Sequence, residues 1–89
     1  MRYMDEDGLP DCQHAADLFT NGNFQEWPTG DDHWPKRCFA KWTDEFQGWT
    51  AIWNPSEFEK RRKGAHAICC EKSKYILVYS ICVLLLKFY

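Results

Sequence analysis

An 89-residue chain with a formal charge of -2 has room for one small domain and a marginal core. The charge is unevenly spread: residues 1–35 hold eight Asp or Glu against one Arg, and residues 36–89 hold ten Lys or Arg against five acids. A dedicated DNA-binding domain is usually basic overall, so net charge argues against that class, while the basic half stays open to an acidic partner.

Residues 1–35 read as an acidic, largely flexible N-terminal segment. Residues 4–11 have almost nothing to bury. Ala15, Ala16, Leu18 and Phe19 offer a brief helical stripe over 13–19, ended by Asn21-Gly22-Asn23. Trp27-Pro28, the stretch 29–32 and Trp34-Pro35 read as turns, with both tryptophans docked against the C-terminal neighbouring module.

Residues 36–70 read as a small β-rich module. Cys38, Ala40 and Trp42 alternate with Phe39, Lys41 and Thr43, and residues 49–53 alternate again after a short connection ending in Gly48. Period-two patterning on both sides of a short gap predicts an antiparallel hairpin over 38–53. Two strands alone are marginal, so the hairpin belongs to a small, partly open barrel or sheet. The fold class is mainly β or small α+β. Asn54 as cap, Pro55 at the first helical position and Glu57 three residues after the cap predict a short helix over 55–63. Glu57 with Arg61 and Glu59 with Lys63 support it at four-residue spacing, and Gly64 stops it.

Residues 71–89 form a hydrophobic C-terminal strand or helix. The uncharged run 75–86 is twelve residues, short of the roughly 20 a membrane-spanning helix needs. Its Ile, Val and Tyr content favours strands, although its length fits a helix equally well.

Five cysteines is an odd number. Without an N-terminal apolar leader in the sequence, the expectation is free thiols in a reducing compartment. That implies an intracellular location, and the chain is read as nuclear ahead of cytoplasmic. Cys69 and Cys70 are adjacent and do not easily pair with each other. For metal, Cys12 with His14 and His66 with Cys69 have usable spacing, but no second close pair completes a zinc pattern, so no metal and no cofactor is assigned. For catalysis, His66 beside Cys69 or Cys70 is an incomplete thiol–base pair, and Asp31-Asp32-His33 reads as loop. The chain is not read as an enzyme.

Two surfaces remain as candidates. Trp42, Phe46, Trp49 and Trp53 surround one hairpin, with Asp44 and Glu45 at its turn. Such residues either pack a core or form an aromatic pocket for a cation, with an acidic rim. Lys60, Arg61, Arg62 and Lys63 form a basic run that either lies solvated on a helix or contacts phosphates of nucleic acid or lipid.

Phe39-Ala40-Lys41-Trp42-Thr43-Asp44, followed by Trp49-Thr50-Ala51-Ile52, resembles the first two strands of Tudor-like (Royal-family) barrels. The resemblance covers the hairpin alone, and the chain departs from the pattern after Trp53. It implies recognition of methylated lysine or arginine through an aromatic cage in which Trp42 and Trp49 are the strand aromatics and Asp44 the acid. The resulting expectation is a non-catalytic recognition module whose ligand-binding residues are Trp42, Asp44, Phe46, Trp49 and Trp53. Its partner is a protein or peptide such as a methylated histone tail. The alternatives are a membrane-associated protein anchored through 75–86, or a nucleic-acid binder using residues 60–63.

Overall fold

The computed structural model describes residues 8–72 and 80–84, with the backbone alone considered at 71–72 and 80–84. In chain order the elements are α1 (Leu9–Phe19), β1 (Phe24–Glu26), β2 (Arg37–Thr43), β3 (Gly48–Asn54), β4 (Ala65–Lys72) and β5 (Ser80–Leu84). The five strands form one open mixed sheet in the order β1-β3-β2-β4-β5. The expected hairpin is present as β2 and β3, in the register Trp42↔Trp49, Ala40↔Ala51 and Cys38↔Trp53. Its connection closes through Gln47 N–H donating to Asp44 O at 3.3 Å. Strand β1 runs parallel to β3. Strand β4 changes partner along its length: Ala65, His66 and Ala67 pair with β2, and Ile68 to Lys72 pair with β5. The hydrophobic C-terminal region therefore contributes a strand at Ser80–Leu84, while 73–79 and 85–89 lie outside the described residues.

Alternation gives the sheet two distinct faces. On the first, Cys38, Ala40, Ala51, Trp53, Ile68 and Cys70 are buried with Cys12, Ala15 and Ala16 of α1, and Leu9, Phe19 and Phe24 pack at the margin. Cys12, Ala15, Ala16 and Phe19 recur at helical spacing, so α1 presents one stripe of mostly small residues and sits close to β3. Asn21 and Gly22 have left-handed backbones, φ 54° and 81°, and reverse the chain after the helix. Asn23 then ties the reversal to the sheet, its carbonyl accepting from Ala51 N–H at 3.0 Å and its side chain donating to Trp49 O at 3.1 Å. Residues expected to be a flexible acidic segment thus supply a helix and a strand, because four apolar positions at helical spacing find a sheet face to cover. The segment 1–7 lies outside the described residues.

A disulfide between Cys12 and Cys38 staples α1 to β2, with Cα atoms 5.6 Å apart. Cys70 is disulfide-bonded as well, and its backbone register partner is Cys82 on β5. The expectation of free thiols is corrected at these positions. Cys12 and Cys38 are isolated along the chain, whereas the fold brings these residues, 26 apart, into bonding distance. Cys69 remains a free thiol, and its burial, with the Glu59 charge adding to the effect, pushes its pKa up.

The second face is covered by loop. Phe39, Ile52 and Ala65 are buried there, with Trp27 and Trp34 packed on them. Trp34 stacks on Phe39 with centroids 5.8 Å apart, and Trp27 meets both rings edge-on at 6.1 and 5.5 Å. Two buried hydroxyls, Thr43 and Thr50, share a hydrogen bond of 2.7 Å. Trp27 and Trp34 therefore dock as their proline-flanked turns suggested.

The helix expected at 55–63 does not form; these residues are irregular. Asn54 closes β3 and is fully buried. Its Oδ1 accepts from Asp31 N–H at 2.9 Å and Ser56 N–H at 3.2 Å, and its Nδ2 donates to Asp31 O at 2.8 Å and Pro35 O at 2.9 Å. Ser56 Oγ lies 2.5 Å from Asp32 Oδ1 and accepts from Phe58 N–H at 3.1 Å. Side chains that could have capped a helix instead clamp the loop 31–35, and such local bonds compete with helix formation. With Phe58 as its single large apolar residue, a helix here would also have had little to bury. The clamp needs close approach: a Cβ on Gly30 would fall 2.7 Å from Ser56 Cα and N.

Candidate functional site

The aromatic residues proposed around the hairpin divide into two environments. On the helix-covered face Trp53 is 5% exposed and belongs to the core. Its assignment to a ligand pocket is corrected: α1 lies over this end of β3. Two register steps beyond Ala51 and Ala40, Trp49 and Trp42 sit opposite each other on the same face and remain 42% and 53% exposed. An eleven-residue helix spans about 16 Å, and it ends without covering the turn end of the hairpin.

His66 of β4 packs beside Trp49, with centroids 5.4 Å apart and a 57° tilt. Asp44, Glu45 and Phe46 occupy the turn, all exposed, Phe46 by 40%. Glu45 accepts a hydrogen bond from Gln25 Nε2, which holds the turn against β1. The structure thus brings together Trp42 and Trp49, with Asp44 and Phe46 at the adjoining turn, on an open surface.

A second aromatic group was not assigned a binding role from the sequence. Trp27, Trp34 and Phe39 form an aromatic cluster on the opposite face, consistent with a peptide- or ligand-binding surface. Two cations already sit over Trp34: Arg62 Cζ is 4.1 Å from its ring centroid and Lys41 Nζ 5.0 Å. Lys41 lies one residue from Trp42 on β2 and so faces away from it. The signal was present in the sequence as Trp-Pro pairs, but which cations meet which ring depends on strand pairing.

Residues 60–63 do not lie on a helix surface. With His33 they line a cleft of about 410 Å³. His33 is turned toward Asp31, whose Oδ1 accepts its N–H at 2.9 Å and lies 3.1 Å from its Nδ1. That backbone hydrogen bond is the main cause holding the Asp31 carboxyl below its ordinary value, with the His33 ring and the Arg62 charge acting in the same direction. The Asp31–His33 contact thus organises a loop turn.

The thiol–base and metal pairings considered for His66 and Cys69 are not formed. Three residues apart on one strand, they point to opposite faces of the sheet. Cys12 is committed to its disulfide and is closed to metal. Among the described residues no group of three or more His, Cys, Asp or Glu could hold an ion. Among the same residues no helix is long and apolar enough to cross a membrane. No protein-family model, curated protein or solved structure matches this chain.

Proposed function

We propose that the chain is a non-catalytic recognition module that binds a cationic side chain of a peptide or protein partner through Trp42 and Trp49. The observation that carries this reading is the exposure of this one cross-strand pair, when the same face is buried at the next two register pairs. Half-exposed tryptophans contribute little to a core and offer flat faces to a partner. A lysine, arginine or quaternary ammonium group within about 6 Å of such a face is attracted to it. Asp44 at the adjoining turn adds a negative charge for the same ligand. The Tudor-like resemblance of the hairpin supports a methylated group as that cation. The disulfide-bonded cysteines favour an oxidising compartment over the nucleus, which makes histone tails the less fitting source.

The test is an amide and indole NMR titration with three peptides identical except for trimethyl-lysine, lysine or glutamine at one position. Saturable shifts of the Trp42 and Trp49 indole signals, ordered trimethyl-lysine, lysine, glutamine, support the reading. Trp42→Ala should remove the shifts while the spectrum stays dispersed. Equal response to the glutamine peptide would eliminate cation recognition.

A further inference from the structure

Four consecutive cations, Lys60, Arg61, Arg62 and Lys63, lie on a segment that is neither helix nor strand. In a helix, consecutive residues point about 100° apart and fan around the axis. Here, on the loop, they line one cleft of about 410 Å³ together with His33. The loop is tied down at several points. Lys60 N–H donates to Trp34 O at 3.3 Å, and Ala65 N–H closes the following turn on Arg62 O at 3.1 Å. Gly64 takes a left-handed backbone, φ 84°, at that turn. Arg62 lies over the Trp34 ring at 4.1 Å, which holds a planar guanidinium in place.

Two of the nearby acids belong to the frame: Asp31 is engaged by His33 and Asp32 by Ser56. Glu59 holds one carboxylate oxygen buried without a hydrogen-bond partner among the described residues. Glu57 is exposed but does not line the cleft. The lining itself is His33 and the four cations.

We propose that this cleft binds a ligand bearing clustered tetrahedral oxyanions, two or more phosphate or sulfate groups. Arginine meets such groups through paired N–H donors, and lysine as a point charge. Several cations spread around a cleft of this size call for more than one anionic group. The site is on the face opposite Trp42 and Trp49, so it stands independently of cationic-peptide binding.

The experiment tracks the Trp34 indole signal and the amides of 33 and 60–63 in NMR titrations of the whole chain. Inorganic tripolyphosphate and a sulfated hexasaccharide are the two probes, with inorganic sulfate at matched ionic strength as the control. The expected result is saturable shifts confined to these signals, with an apparent Kd that rises steeply with salt. Lys60→Gln with Lys63→Gln, both exposed positions, should weaken binding by about tenfold or more with the fold intact. Tighter binding of tripolyphosphate would assign a phosphorylated ligand, and tighter binding of the hexasaccharide a sulfated one. Shifts spread equally over Lys36 and Arg37, a Kd unchanged in the double variant, or equal affinity for inorganic sulfate would overturn the proposal.

Discussion

The two faces of the sheet are closed by different physics. One is covered by α1, whose small side chains descend onto Ala40, Ala51 and Trp53 and are held by a covalent bond from Cys12 to Cys38. The other is covered by loop, where Trp27 and Trp34 supply the apolar area, Asn54 satisfies the loop's backbone and Ser56 holds the Asp32 side chain. A helix satisfies its own amides, so it can seal a face with apolar atoms alone. A loop cannot, and its buried polar groups need side-chain partners. The helix-covered face therefore depends on burial and a staple, and the loop-covered face on a few buried hydrogen bonds.

The contrast can be broken at the staple first. Cys12→Ala with Cys38→Ala removes a cross-link between residues 26 apart, and chain entropy assigns it about 3–4 kcal/mol. Denaturant unfolding should show that loss, together with reduced amide protection in α1. Retained protection in α1 would mean that apolar burial alone holds the helix.

On the other face, Asn54→Ala strands two backbone N–H groups and the Pro35 carbonyl, and leaves the Asp31 carbonyl with only its Trp34 N–H donor. The expected cost is about 2–3 kcal/mol, with Trp34 more accessible to a fluorescence quencher while α1 stays protected. Asn54→Asp keeps the acceptor but sets a second oxygen against the Asp31 and Pro35 carbonyls at a fully buried position, so it should cost at least as much as Asn54→Ala. A cost below the range of ordinary surface substitutions would show that water replaces the clamp.

Gly30→Ala sharpens the comparison further. The added Cβ meets Ser56 backbone at 2.7 Å, and overpacking of this kind costs about 1–3 kcal/mol. The disturbance should appear in amides of 30–35 and 54–58 and be absent from α1, as a chemical-shift map would show.

The smallest effect is on pH. Asp31 has its carboxyl pKa lowered by the His33 backbone N–H. Its contribution is present above the ordinary carboxylate value and lost as pH falls through the lowered one. An acid titration should therefore loosen the His33 amide before the α1 amides respond. Asp31→Asn should abolish that early change.

Much of the candidate site was readable in advance. Alternation within each strand made a shared face for Trp42 and Trp49 an option, and the register Trp42↔Trp49 decided it. Trp53 obeys the same alternation, yet it is core. No periodicity within β3 tells which end of a face a helix from elsewhere will cover. The basic run was equally visible, and its conversion from a solvated helix surface into a cleft lining was not.

The sequence by itself determined the hairpin, since it depends on the order of polar and apolar side chains. Tertiary structure decided the rest. Asn54-Pro55-Ser56-Glu57 carries a local helix-start signal, but an amide and a hydroxyl that can cap a helix can also hold a distant loop. The carbonyls of Asp31 and Pro35 won that competition. Cys12 and Cys38 became a pair only because α1 settled over β2 and β3. Both outcomes depend on groups far apart in the chain meeting in space, and no local pattern records such a meeting.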